Sequence, residues 1–395
     1  MQDRQRLRCT ARTSQMGPLV ATRFSMLSTF PPTQCGLATF AYALVSEMAA
    51  SGVDVEVVRI VDEPEPVVAH VSHELVISEP GAARQAAAAM NACDVAIVQH
   101  EYGIFGGRDG ADVVDLLDQL RIPSIVVLHT VLAQPTLHQH QVLARVVDAA
   151  TIVVTMTDTA RRRLLHGWVV DPAKVRVIAH GAADNRPAAG EVSAIGARPT
   201  ILTWGLLGEG KGIEWAITAM ADVVDLTPAP LYRVVGETHP RVVERDGERY
   251  RDRLVALSES LGVEDLVSFE GRYLDEPSLR RVIREADVVL LPYDSRDQVT
   301  SGVLTEAVVA GKPVISTGFP HAVELLSGGA GIIVPQRDPE AIAAALRRVL
   351  TEPGLTASMG AVATELAPGL LWSGVAAEYV ALGTSLLGTA KLSVA

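Results

Sequence analysis

Residues 287–317 read DVVLLPYDSRDQVTSGVLTEAVVAGKPVIST. Val288 to Leu291 and Pro313 to Ile315 are short apolar runs without alternation, the pattern of strands buried on both faces of a parallel sheet. Gly302 to Ala310, between them, contains no proline and reads as a helix. Parallel strands need such a crossover, so the stretch is a βαβ unit.

Immediately before that helix lies a small polar loop, Gln298, Val299, Thr300, Ser301 and Gly302. Backbone N–H groups at a helix N-terminus have no intrahelical acceptor, and the helix dipole adds positive potential there, so the loop is a seat for an anion such as a diphosphate. Glu306, eight residues beyond Gln298 and one turn into the helix, is placed to accept hydrogen bonds from vicinal hydroxyls such as those of a ribose. A phosphate seat beside an acid for a sugar implies a nucleotide ligand.

Gln298, Glu306 and the run Gly311-Lys312-Pro313-Val314-Ile315 resemble the signature of the retaining nucleotide-sugar glycosyltransferases of family GT4. In that family Glu, seven residues and a second Glu are followed by an apolar helix and Gly-Lys/Arg-Pro-Val-Ile. This chain departs at the first position, where Gln298 keeps hydrogen bonding and removes a charge close to the transferred sugar.

With 395 residues, 48% of them apolar, two or three well-filled domains are expected. The formal net charge of −12 argues against nucleic acid as a general partner, which requires a basic face. Cys9, Cys35 and Cys93 are odd in number and lack C-x-x-C spacing, so neither a disulfide framework nor a zinc site is implied, and a cytoplasmic location is expected. No apolar run approaches eighteen residues, and membrane association is not indicated. Residues 1–18, with Arg4, Arg6, Arg8 and Arg12, are expected to form a disordered extension.

From Arg23 strands and helices alternate. Phe24 to Leu27 reads as a strand, the segment to Gly36 as a loop, and the following residues as a helix with Leu37, Phe40, Leu44, Val45 and Met48 on one face. Further strands are expected at Val55 to Ile60, Val95 to Gln99, Ser124 to Leu128, Thr151 to Thr155 and Val175 to Ile178. Helices fall between them, at 84–92, 111–120, 139–149 and 158–166. One parallel sheet covered on both faces results, with function at the carboxyl ends of its strands. Two of those ends carry histidines, His100 beside Glu101 and Tyr102, and His129 beside Thr130. His138 and His140 stand two apart on a helix and share no face, so they are not read as metal ligands.

Ala182 to Pro199 reads as a linker, and a second alternation begins at Thr200. Gly205, four residues, Gly210-Lys211 satisfies most of a Walker A pattern, but Gly212 stands where Ser or Thr would hold Mg²⁺. Strands follow at Leu231 to Gly236, Leu266 to Phe269 and Gly331 to Pro335, with helices at 245–261, 276–285, 338–351 and 356–366. In the tail, Trp372, Val375, Tyr379, Leu382 and Leu386 fall on one side of a helix.

The resemblance covers nearly the whole chain from about residue 22. It implies an α/β protein of two Rossmann-like domains facing each other across a cleft, the GT-B arrangement: residues 19–190 on the acceptor side, 191–369 on the donor side, and 370–395 packing back on the first domain. It implies transfer of a hexose from a UDP- or GDP-sugar to an acceptor hydroxyl with retention, without a metal or other cofactor. It assigns catalytic positions to His129, Lys211 and Gln298. Donor contacts fall to Gly36, Gly208, Lys211, Thr300, Ser301, Gly302, Val303 and Glu306. The family usually adds an Arg where this chain has Leu206, and Arg272 is expected to compensate. His100, Glu101 and Tyr102 are placed on the acceptor side. The rivals are a Mg²⁺-dependent ATPase built on Gly205 to Lys211, an oxidoreductase, disfavoured because no G-x-G-x-x-G follows either first strand, and a non-catalytic sugar-nucleotide sensor.

Overall fold

The computed structural model describes residues 22–186 and 198–392 and contains two parallel sheets. The expected extension at 1–18 and most of the expected linker lie outside the described residues.

The first sheet comprises β1 (Arg23–Ser28), β2 (Asp54–Val61), β3 (Val71–Val76), β4 (Val95–His100), β5 (Ser124–Leu128), β6 (Ile152–Thr155) and β7 (Val175–Val177), in the order β3-β2-β1-β4-β5-β6-β7. The helices of this half are α1 (Gly36–Ala50), α2 (Ala82–Met90), α3 (Asp112–Leu117), α4 (Leu137–Ala149) and α5 (Asp158–Gly167). The second sheet comprises β8 (Thr200–Trp204), β9 (Leu231–Val235), β10 (Val267–Glu270), β11 (Val288–Leu291), β12 (Val314–Thr317) and β13 (Gly331–Val334), in the order β10-β9-β8-β11-β12-β13. Around it lie α6 (Ile213–Met220), α7 (Pro240–Asp246), α8 (Arg249–Ser260), α9 (Glu276–Glu285), α10 (Gly302–Val309), α11 (Pro320–Leu326), α12 (Pro339–Thr351) and α13 (Leu355–Leu366).

Both sheets have the doubly wound order, whose direction reverses beside the first strand. β1 lies between β2 and β4, and β8 between β9 and β11. Connections leave such a reversal in opposite directions and open a crevice at the carboxyl ends of the strands. Because Val288 pairs with Ile201, the loops that follow β8 and β11 emerge side by side.

Helix α14 (Trp372–Leu392) returns to the first half. Its Trp372, Val375 and Tyr379 join the buried cluster that contains Phe24, Phe40 and Met48. The crossing is pinned by the backbone, where Ala182 N–H donates to Leu370 O (2.7 Å) and Trp372 N–H to Ala182 O (3.0 Å).

Two local readings of the sequence need correction. Strand β3 escapes notice because Ser72, His73 and Glu74 interrupt its apolar pattern, as an edge strand permits. The helix expected over 245–261 is two helices, α7 and α8, broken at Gly247, whose φ of 61° no helix accommodates.

Arg59, on β2, is fully buried. Its guanidinium donates to Glu74 Oε1 (Nε, 3.1 Å), Pro31 O (3.1 Å) and Pro66 O (2.9 Å), and so holds the loop that follows β1. Removing one member of a buried pair leaves the other uncompensated. Arg59→Ala is therefore expected to cost about 3 kcal/mol in urea unfolding, and a cost below about 1 kcal/mol would remove that role.

Candidate functional site

Three loops build the site. The first, Gly205 to Gly212, links β8 to α6. Gly212 has φ +64°, and a Cβ there would lie 1.9 Å from Pro292 O, so residue 212 has no room for a metal-ligating hydroxyl. This is the physical reason the near-Walker pattern ends in glycine. Asp294 N–H donates to Gly210 O (2.9 Å), fastening this loop to the one after β11. Lys211 emerges between them with its Nζ 4.4 Å above the ring centroid of Tyr293. Among the described residues it makes no ion pair, and burial pushes its ammonium down to about 8.

The second loop runs from β11 into α10. Ser301 caps the helix by accepting from Leu304 N–H (3.3 Å). Its own N–H donates to His321 Nδ1 (2.9 Å), which requires a neutral ring, and burial pushes His321 down to about 4. The anion seat expected from the sequence is therefore smaller by one amide. The backbone N–H groups of Thr300, Gly302 and Val303 make no hydrogen bond among the described residues. The Thr300 hydroxyl is buried and, among the described residues, unpartnered. A Cβ on Gly302 would lie 2.9 Å from the His180 ring, so the close approach of the two halves demands glycine there.

Glu306, one turn further, accepts from Trp204 Nε1 at the end of β8 (3.1 Å). Burial pushes its carboxyl up to about 7.

The third loop lies after β1 and opens α1. Cys35 Sγ caps that helix, accepting from Ala38 N–H (3.4 Å), and Gly36 follows. The ring of Phe40, on α1, stands edge-on to His129, His180 and Trp372 at 4.9, 5.0 and 4.9 Å. His129 Nε2 lies 2.7 Å from Gln99 Oε1, so the neutral ring donates there through Nε2. Burial pushes His129 down to about 3.

These groups border one cavity of about 470 Å³ between the two halves. Gly36 and His129 line it from one side, and Lys211, Arg272, Gln298 and Glu306 from the other, with the segment Thr300 to Val303. Leu206 lines it where the family usually has Arg. Arg272 is two-thirds exposed and only loosely paired with Glu270, at 3.5 Å.

Gly208 and the trio His100, Glu101 and Tyr102 do not line the cavity. His100 is fully buried, and neither of its ring nitrogens has a hydrogen-bond partner among the described residues. Glu101 accepts from the Thr130 hydroxyl and from Tyr102 N–H. The trio stands one hydrogen bond behind the wall, since His129 N–H donates to His100 O (3.1 Å). His138 binds Asp109, and His140 stacks on Trp168.

Sequence reading gave no site role to His180, Trp204, Tyr293 or Trp372, all of which line the cavity. Trp204 and His180 do stand at or just beyond strand ends, the one signal that marks them.

The halves are also clamped beside the site. The Glu324 carboxylate, on α11, accepts from the N–H groups of Asp158 and Thr159 at the start of α5 (2.8 Å each). Arg163, on α5, donates to Arg296 O (3.1 Å) and holds the segment that carries Gln298.

Glu306 generates a pH prediction. Its carboxyl titrates near 4.5 in the unfolded chain and about 7 in the folded one. The folded state therefore holds the extra proton over that window. The stability this contributes is fully present below 4.5 and is lost as pH rises through 7. Glu306→Gln should lose that decline and melt about 2–4 °C above the parent at pH 8, with little difference at pH 4.5. Parallel melting curves from pH 4.5 to 8 would refute the assignment.

Known proteins resemble both halves. Residues 35–186 match the family model described as Glycosyltransferase Family 4, and residues 198–352 match the one described as Glycosyl transferases group 1. The chain is 31% identical over 251 residues to a D-inositol 3-phosphate glycosyltransferase of Kineococcus radiotolerans, a match covering 59% of this chain and 56% of that one. It is 29% identical over 294 residues to the protein of the same name from Corynebacterium glutamicum, covering 68% of each. Among solved structures, sucrose-phosphate synthase from Thermosynechococcus elongatus superposes with TM-score 0.75 at 20% identity, over 93% of this chain and all of that one. Anabaena HepE, crystallised with UDP and glucose, superposes with TM-score 0.72 at 14% identity, over 92% of this chain and all of that one. With both sheets, the crevice between them and two adjoining family matches in agreement, the chain belongs to the family 4, group 1 glycosyltransferases of GT-B fold.

Proposed function

We propose that this protein transfers a hexose from a nucleoside diphosphate sugar, of the UDP or GDP type, to an acceptor hydroxyl with retention and without a metal ion. One observation carries the reading. Lys211, a half-buried cation with no ion pair among the described residues, and the open amides at the start of α10 border the same cavity as Glu306 and the neutral His129.

In the proposed step the bond from the anomeric carbon to the diphosphate breaks, the acceptor oxygen forms its bond on the same face, and the departing phosphate oxygen takes the acceptor proton. Negative charge grows on the phosphate and oxocarbenium character on the sugar. Lys211, Arg272 and the Gly302 and Val303 amides offset the first. Glu306 orients the ribose. Gln298 bears no carboxylate, so no covalent glycosyl intermediate forms on it. The surrounding walls exclude water, which would otherwise hydrolyse the donor. HepE was crystallised with UDP-glucose, and the relatives' name speaks of an inositol phosphate, which sets the first donors and acceptors to try.

Leu206 and Gln298, both uncharged where the family carries charge, favour a second reading, a binding subunit without turnover. Donor hydrolysis without acceptor separates the two, because only an enzyme releases nucleoside diphosphate. Lys211→Ala should lower kcat/KM for the donor about 10²–10³-fold, the scale of losing one charge-stabilising group. Arg272→Ala, at an exposed cation, should lower it about 3- to 10-fold. A Lys211→Ala enzyme as fast as its parent would end the proposal, as would full retention of activity in the Arg272 variant for that residue's part.

A further inference from the structure

An ammonium drawn half out of water ordinarily sits against a carboxylate, and Lys211 makes no ion pair among the described residues. It lies instead over the face of Tyr293, 4.4 Å from Nζ to the ring centroid. An aromatic face attracts a cation through its quadrupole without neutralising it. A carboxylate in that place would compete with any incoming phosphate for the same charge.

Everything around Tyr293 fixes its ring. Its carbonyl accepts from the Thr317 hydroxyl (2.6 Å) and from Gln336 Nε2 (3.2 Å). Phe319 stacks on the ring at 5.3 Å with 24° between the planes. The next residue, Asp294, ties its N–H to Gly210 in the loop that carries Lys211, and Pro292 O packs against Gly212 at the end of that loop. Tyr293 is 1% exposed, yet among the described residues its hydroxyl has no hydrogen-bond partner. The face of the ring, and not the hydroxyl, is what the residue offers the site.

We propose that Tyr293 is a positioning residue for Lys211, its ring serving as an uncharged seat that aims the ammonium at the leaving diphosphate while leaving that charge available. This rests on the reading of the cavity as a nucleoside diphosphate sugar site. It places part of the specificity for an anionic leaving group in an aromatic residue that acts through Lys211.

The experiment is a double-mutant cycle on kcat/KM for the donor, with melting temperature recorded for every variant. Tyr293→Leu, which removes the seat, should lower kcat/KM about 10- to 30-fold, the range of a desolvated cation–aromatic contact. Tyr293→Phe, which keeps the ring, should recover to within about threefold of the parent. In the Lys211→Ala background, Tyr293→Leu should cost less than about threefold further, because the group it positions is gone. If the Leu variant does not fold, Tyr293→Met takes its place in the cycle. Tyr293→Phe as impaired as Tyr293→Leu, or losses that multiply in the double variant, would overturn the proposal while leaving the glycosyltransferase reading intact. An undiminished Lys211→Ala enzyme would overturn both.

Discussion

The pairing of β8 with β11 is the constraint from which the site follows. Two strands far apart in sequence lie side by side in the second sheet, so the glycine loop and the loop before α10 leave the same edge together. Gly212 against Pro292 and Gly210 against Asp294 lock the two loops edge to edge. One loop contributes a cation, the other contributes helix-terminal amides and, a turn later, a carboxylate. Had β8 paired elsewhere, Lys211 and Glu306 would have shared nothing.

The electrostatics of the site are those of charges held back from neutralisation. Lys211 rests on an aromatic ring, Glu306 on a single indole N–H, and burial disfavours the ionised form of both. The histidines near the cleft, His129, His180 and His321, are all pushed well below neutrality by burial. They act as neutral donors and acceptors, and His321 spends that capacity on the Ser301 amide. A cavity arranged in this way gains most from a ligand that brings its own negative charge and hydroxyls.

Much of this was legible from residues alone, for identifiable reasons. The central βαβ unit announced itself because its strands are buried on both faces and read as unbroken apolar runs. His129 was read from its place just after β5, and Lys211, Gln298 and Glu306 from the loops and helix that follow β8 and β11 and resemble the family signature. What escaped depends on contacts distant in sequence. Strand β3 lies at an edge, where polar residues are tolerated. The engagement of the Ser301 amide by His321, twenty residues on, leaves no local trace. His100, Glu101 and Tyr102 stand at a strand end like His129, but their turn folds inward and satisfies Glu101 with Thr130, so the same signal misleads there. The seat of Lys211 on Tyr293 arises only when the two strands are laid together.

On the proposed reading, Lys211 and the amides at the start of α10 jointly hold a diphosphate. Calorimetric titration with UDP and GDP, each beside its bare nucleoside, tests it most directly. One of the two nucleoside diphosphates should bind at least about 100-fold more tightly than its nucleoside, a gap of about 2.7 kcal/mol, and Lys211→Ala should close most of it. Equal affinity for nucleoside and diphosphate, or a gap unchanged in the variant, would mean that Lys211 and these amides do not hold a diphosphate.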